Sequence, residues 1–133
     1  MMRPSLVAAV VLAVLLTASA CGTEPTVGGR MLVSLETPAS DDGALAVVVT
    51  GPGIAEVMPT SSSYSVYWRL ASATEARVLV FGNISPGPLF ALLVEDRSAV
   101  FVGQVTEVAR RDDALRDDPV DYTISIVPLA DPE

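Results

Sequence analysis

Tyr64-Ser65-Val66-Tyr67-Trp68-Arg69-Leu70-Ala71 decides the fold class of this chain. Tyr64, Val66, Trp68 and Leu70 alternate with Ser65, Tyr67, Arg69 and Ala71. A period of two sends successive side chains to opposite faces of an extended strand, whereas a helix repeats its apolar residues three and four apart. The alternation predicts a strand with Trp68 inward and with Tyr67 and Arg69 on the less buried face.

Shorter runs of the same kind lie on both sides. Met31, Val33 and Leu35 alternate with Leu32, Ser34 and Glu36, and the stretch from Thr37 to Gly43 then has the composition of a loop. Ala44 to Thr50 reads as a strand closed by Gly51-Pro52-Gly53, and Glu56 to Met58 as a short one before Pro59 and the serines that follow. Arg77 to Gly82 ends at Asn83 and the turn Ser85-Pro86-Gly87-Pro88, and Leu89 to Glu95 follows. Val100 to Val108 is another strand. Tyr122, Ile124 and Ile126 mark the last, which Pro128 is expected to stop. The charged stretch Arg110 to Asp118 is expected to take a helical turn, from the spacing of Val105, Val108 and Leu115.

Short strands separated by turn signals roughly every 8–12 positions predict an all-β fold, a single antiparallel sandwich of seven or eight strands. No long helical pattern is present, which argues against βαβ architectures. In strand count and rhythm the chain resembles the Ig-like and cohesin-like modules of secreted bacterial proteins. It lacks the cysteine pair of antibody-type domains.

The chain has 133 residues and a net charge of −8. Sixteen acidic residues argue against nucleic acid or anionic lipid as an electrostatic partner. The absence of histidine removes the commonest general base and the commonest metal ligand. No lysine is present either, so the Ser-rich stretch Ser61 to Ser65 has neither partner to activate a nucleophile. A single cysteine, Cys21, allows no disulfide within the chain, so the fold rests on packing.

That cysteine closes an N-terminal pattern. Arg3 precedes an unbroken apolar run from Leu6 to Leu16, followed by the small residues Ala18, Ser19 and Ala20. The run is too short for a bilayer, which needs about 20 apolar residues, and has the length of a signal-peptide core. An odd cysteine in a secreted chain needs a reason. Ala18-Ser19-Ala20-Cys21 resembles the lipobox of bacterial lipoproteins, with Ala18 where leucine is commonest. The resemblance implies a signal peptidase that recognises Ala18, Ser19 and Ala20, and a thioether-linked lipid on Cys21. The implied location is the cell envelope, at the outer membrane or the periplasmic face in a diderm. Gly22 stands where some bacteria place an inner-membrane retention Asp. Two or more acyl chains anchor stably without a basic patch. The expected layout is a removed segment over 1–20, a tether over 21–30 with lipidated Cys21, a sandwich over 31–130 and an acidic tail over 131–133.

Two runs, Val78 to Phe81 and Leu89 to Val94, are apolar on both faces, whereas a half-exposed sheet has a polar outer face. With Val78, Val80, Phe90, Leu92 and Val94 facing the core, Leu79, Phe81, Leu89, Ala91 and Leu93 form a candidate apolar strip for a partner, beside Tyr67 and Arg69. Coverage of central strands by loops or by the tether is the alternative explanation. The acidic pairs Asp41-Asp42, Glu95-Asp96, Asp112-Asp113 and Asp117-Asp118 are expected in solvated loops, since they lack the spacing of a calcium loop. No cofactor, metal or catalytic residue is expected. The functional expectation is a non-catalytic binding or scaffolding module for another envelope protein. A carbohydrate-binding module is one alternative and would need Tyr67 and Tyr122 on one surface. A small hydrolase is the other and would need paired carboxylates in a cleft.

Overall fold

The computed structural model describes residues 27–39, 41–116 and 119–129. Cys21 with Ala18, Ser19 and Ala20, the start of the tether, Asp117-Asp118 and the acidic end lie outside the described residues. Eight strands follow one another: β1 (Gly29–Glu36), β2 (Asp42–Thr50), β3 (Ile54–Pro59), β4 (Tyr64–Ser72), β5 (Glu75–Ile84), β6 (Gly87–Val94), β7 (Val102–Arg110) and β8 (Thr123–Leu129). They form two four-stranded antiparallel sheets, β3-β6-β1-β8 and β4-β5-β2-β7, which pack as a β-sandwich.

The period-two residues explain why two sheets meet. Met31, Val33 and Leu35 of β1 and Phe90, Leu92 and Val94 of β6 face Leu45, Val47 and Val49 of β2 and Val78 and Val80 of β5 across one buried layer. Removing such side chains from water supplies about 25 cal/mol per Å² of apolar surface, the main driving force in a chain without disulfides. Only β4 and β5 are successive strands of one sheet, turned at Ala73-Thr74, where the Thr74 N–H donates to Ser72 Oγ at 3.2 Å. The other connections cross between sheets. β2-β5-β4 and β3-β6 pair as strands B-E-D and C-F do in an Ig sandwich, while β1 lies beside β6 and β7 beside β2.

Three local expectations change. Trp68 keeps its parity, opposite Val78 and on the side of Val66, but it is 38% exposed rather than buried. β4 is the edge of its sheet, so alternation sets the side to which Trp68 points without guaranteeing a neighbour to cover it. Pro128 does not end the last strand: it pairs with Met31, and β8 continues to Leu129. An edge strand tolerates proline because its missing N–H can lie on the solvent side.

No helical turn forms over the described part of Arg110 to Asp118. Asp113, at φ 67°, turns the chain, and its N–H donates to the Arg110 carbonyl at 3.0 Å. Ala109 then bridges Leu115, and the Arg116 N–H donates to the Val108 carbonyl at 2.9 Å. The segment therefore folds back along the free edge of β7. Asp tolerates the left-handed conformation this turn requires.

Candidate functional site

The register of the second sheet lays its outward side chains in rows. Tyr67 of β4 stands opposite Leu79 of β5, Leu79 opposite Ala46 of β2, and Ala46 opposite Glu107 of β7. One row along, Arg69, Arg77, Val48 and Gln104 are aligned, and on the other side Ser65, Phe81 and Ala44. Tyr67 is 62% exposed, Leu79 46% and Phe81 41%. The Tyr67 and Phe81 rings meet edge to face with centroids 5.8 Å apart, which fixes two aromatic side chains in a solvated position.

The small side chains Ala46 and Val48 beside these larger ones leave a shallow groove of about 580 Å³, walled by Tyr67, Leu79, Arg77, Thr106 and Glu107. β7 bulges at this wall, where Ala46 pairs with Glu107 and Val47 with Val105, and the Thr106 hydroxyl donates to the Ala46 carbonyl at 3.2 Å. Arg77 is held by Glu75, Nε to Oε2 at 3.3 Å. Arg69, directly opposite Arg77 on the same face, forms no ion pair among the described residues. Like charges opposite one another disfavour the sheet slightly.

Leu89 and Leu93 do not join this face. Both belong to β6 in the first sheet, on the far side of the core from Tyr67. The β1–β6 register skips between Val33 and Ser34, which pair with Phe90 and Pro88. That bulge leaves both Leu89 and Phe90 facing inward, and Leu89 is 0% exposed. Leu93 is half-buried on the outer face of the first sheet, between Arg30 and Glu56. The expected strip therefore divides, and Tyr67, Arg69, Leu79 and Phe81 stay together.

The acidic pair Asp41-Asp42 departs furthest from expectation. Asp42 is fully buried and is the one buried charged side chain among the described residues. Arg116 Nε donates to its Oδ1 at 2.8 Å and the Tyr122 hydroxyl to its Oδ2 at 2.6 Å. Exposed Asp41 binds the other arm of the Arg116 guanidinium and also meets Arg110 Nε at 3.3 Å. The hydrogen bond to Asp42 holds the Arg116 pKa above its usual value. Burial, and then the bond to Asp42, push the Tyr122 phenol above its ordinary value. This cluster clamps the start of β2 to the chain leading into β8 and is satisfied on all sides, so it offers no free carboxylate for acid–base work.

The described acidic loops at Asp96 and Asp112 and the serine loop at Ser61 are built as turns. Asp96 Oδ1 accepts from the Ser98 N–H at 2.9 Å and from its hydroxyl at 2.6 Å; these bonds lower the Asp96 pKa. Asp112 Oδ1 accepts from the Ala114 N–H at 3.2 Å, and Ser61 Oγ from the Ser63 N–H at 3.3 Å. Among the described residues no three His, Cys, Asp or Glu side chains gather as metal ligands. Tyr67 and Tyr122 lie on different surfaces, one outside the second sheet and the other folded onto the core beside Asp42.

The chain matches no protein-family model, no curated protein and no solved structure.

Proposed function

We propose that this chain is a lipid-anchored protein of the bacterial cell envelope whose sandwich docks another envelope protein without catalysis. The outer face of β4-β5-β2-β7 is the docking surface. One observation carries the reading: Tyr67, Leu79 and Phe81 form a contiguous exposed apolar group on a sheet face that water would otherwise keep polar. Exposed apolar clusters rimmed by charge are characteristic of interaction sites, and here Arg69, Arg77 and Glu107 supply the rim. Aromatic and arginine side chains contribute most to such interfaces.

Ala18-Ser19-Ala20-Cys21 supports the anchor. A lipid on Cys21 would hold the domain at the membrane surface, where a modest interface suffices because both partners are confined. The carbohydrate reading loses its premise, since Tyr67 and Tyr122 form no joint platform. The hydrolase reading loses support because the one carboxylate buried among the described residues is tied to Arg116 and Tyr122.

Two experiments test the parts separately. Palmitate labelling of cells expressing the full chain should mark the wild type and not Cys21→Ser; labelling that survives the substitution removes the anchor. Crosslinking in intact cells should capture a partner with wild type and lose it with Leu79→Thr combined with Phe81→Thr. Threonine suits a strand and removes the apolar surface.

A further inference from the structure

A sandwich has four free sheet edges, and a free edge can pair with another chain unless something blocks it. In this molecule three edges carry blocking devices. β3 is short, bulges between Ile54 and Glu56, and ends in Pro59. β8 carries Pro128. β7 bulges at Thr106, presents Glu107, and has the Ala109–Leu115 bridge folded against its end.

β4 is nine residues long, and the one shift in its pairing with β5, between Leu70 and Ser72, lies at its C-terminal end. Its ladder with β5 runs without a shift from Tyr64 to Leu70, and it contains no proline. In a chain with sixteen acidic residues it contains no Asp or Glu. Trp68 and Leu70 are both exposed along it.

We propose that β4 is a self-pairing edge, joining two copies of this chain antiparallel about a twofold axis at Trp68. The occupant follows from the residues themselves. With Trp68 opposite its own copy, Val66 meets Leu70 on the inward side, an apolar pair. On the outward side Tyr67 meets Arg69, which places the unpaired guanidinium against an aromatic ring. Arg69 is thereby kept from facing its own copy. Residues of one parity oppose residues of the same parity, so inward faces meet inward faces and backbone groups that leave the sheet meet their counterparts. The result is a continuous eight-stranded sheet across the two copies. This pairing goes beyond the docking surface proposed above: it takes up Tyr67 and Arg69 at the margin of that surface and leaves Leu79 and Phe81 for a partner, so the two proposals are tested at different residues.

Single cysteines test the register directly. The full chain is expressed in bacterial cells and oxidised in the intact cells with copper–phenanthroline, with the native chain, whose only thiol position is Cys21, as background. Trp68→Cys should give a disulfide-linked species of twice the monomer mass. Directly opposite Cβ atoms lie about 4.5–5.5 Å apart, near disulfide reach, whereas diagonal ones lie about 7–8 Å apart and outside it. Tyr67→Cys and Arg69→Cys should therefore remain at background when expressed alone and crosslink when expressed together. That mixed pair leaves Trp68 intact, so it covers the case in which Trp68→Cys fails to fold. Background crosslinking in every variant, or equal crosslinking in all, overturns the proposal. A product joining Trp68→Cys to a different protein also overturns it, in favour of strand addition by that partner. None of these outcomes bears on whether Leu79 and Phe81 dock a partner.

Discussion

Replacing Asp42 by Asn tests whether the buried carboxylate holds the sandwich together. Asn keeps the shape but removes the charge and turns one acceptor into a donor. With its oxygen toward the Arg116 Nε–H, which now donates to Asp42 at 2.8 Å, its NH₂ can donate to the Tyr122 hydroxyl only if that hydroxyl, now a donor to Asp42 at 2.6 Å, turns to accept. Neither contact then reaches a carboxylate, where bonds to a charged group contribute about 1.5–3 kcal/mol. The Arg116 side chain is 27% exposed and still has Asp41, so water and that second carboxylate offset part of the loss. The expected destabilisation for Asp42→Asn is therefore about 2 kcal/mol. At about 4–8 °C per kcal/mol for a domain of this size, Tm should fall by roughly 8–16 °C. Asp41→Asn is the internal contrast, since an exposed pair is worth about 0–1 kcal/mol. Urea and thermal unfolding of the full chain, followed by circular dichroism, read both. Equal stability of the two variants would refute the clamp.

Two further outcomes follow from the same packing. Tyr122 has a phenol pKa raised above 10.0 by burial and by Asp42, so its neutral form is favoured in the fold. Its stabilising contribution is complete below the unfolded value and is lost as pH rises through the folded one. Absorbance at 295 nm should show an alkaline step above pH 10 that disappears in Tyr122→Phe; an unchanged titration curve contradicts the assignment. Gly103 of β7 lies under Ile124 of β8, and a Cβ there would overlap the Ile124 side chain. Gly103→Ala should cost about 1–3 kcal/mol by overpacking where the two sheets approach at this end, measured by urea unfolding. A neutral result would mean that β8 does not pack on β7.

The sandwich was legible because period-two alternation and turn residues act locally. Val78, Val80, Leu92 and Val94 face the core as their spacing requires. Coverage is not local, which is why Trp68 keeps its side but not its burial. The same limit explains Leu89: one skipped residue in the β1–β6 register turns two neighbours inward, and only the partner strand reveals the skip. In sequence Asp42 resembles a loop acid because its neighbours Asp41 and Gly43 have loop composition. Its partners, Arg116 and Tyr122, are more than seventy residues away in sequence, beyond any local pattern. The outward set Tyr67, Leu79 and Phe81 was legible in part, since parity gave its members and strand pairing alone gave their adjacency.

The docking face is tested most directly by crosslinking in intact cells followed by mass spectrometry, comparing wild type with the Leu79→Thr, Phe81→Thr double variant. A protein captured by wild type and lost by a variant with unchanged thermal stability is the predicted result. The same proteins captured at equal yield by both would contradict a docking role for the outer face of the second sheet.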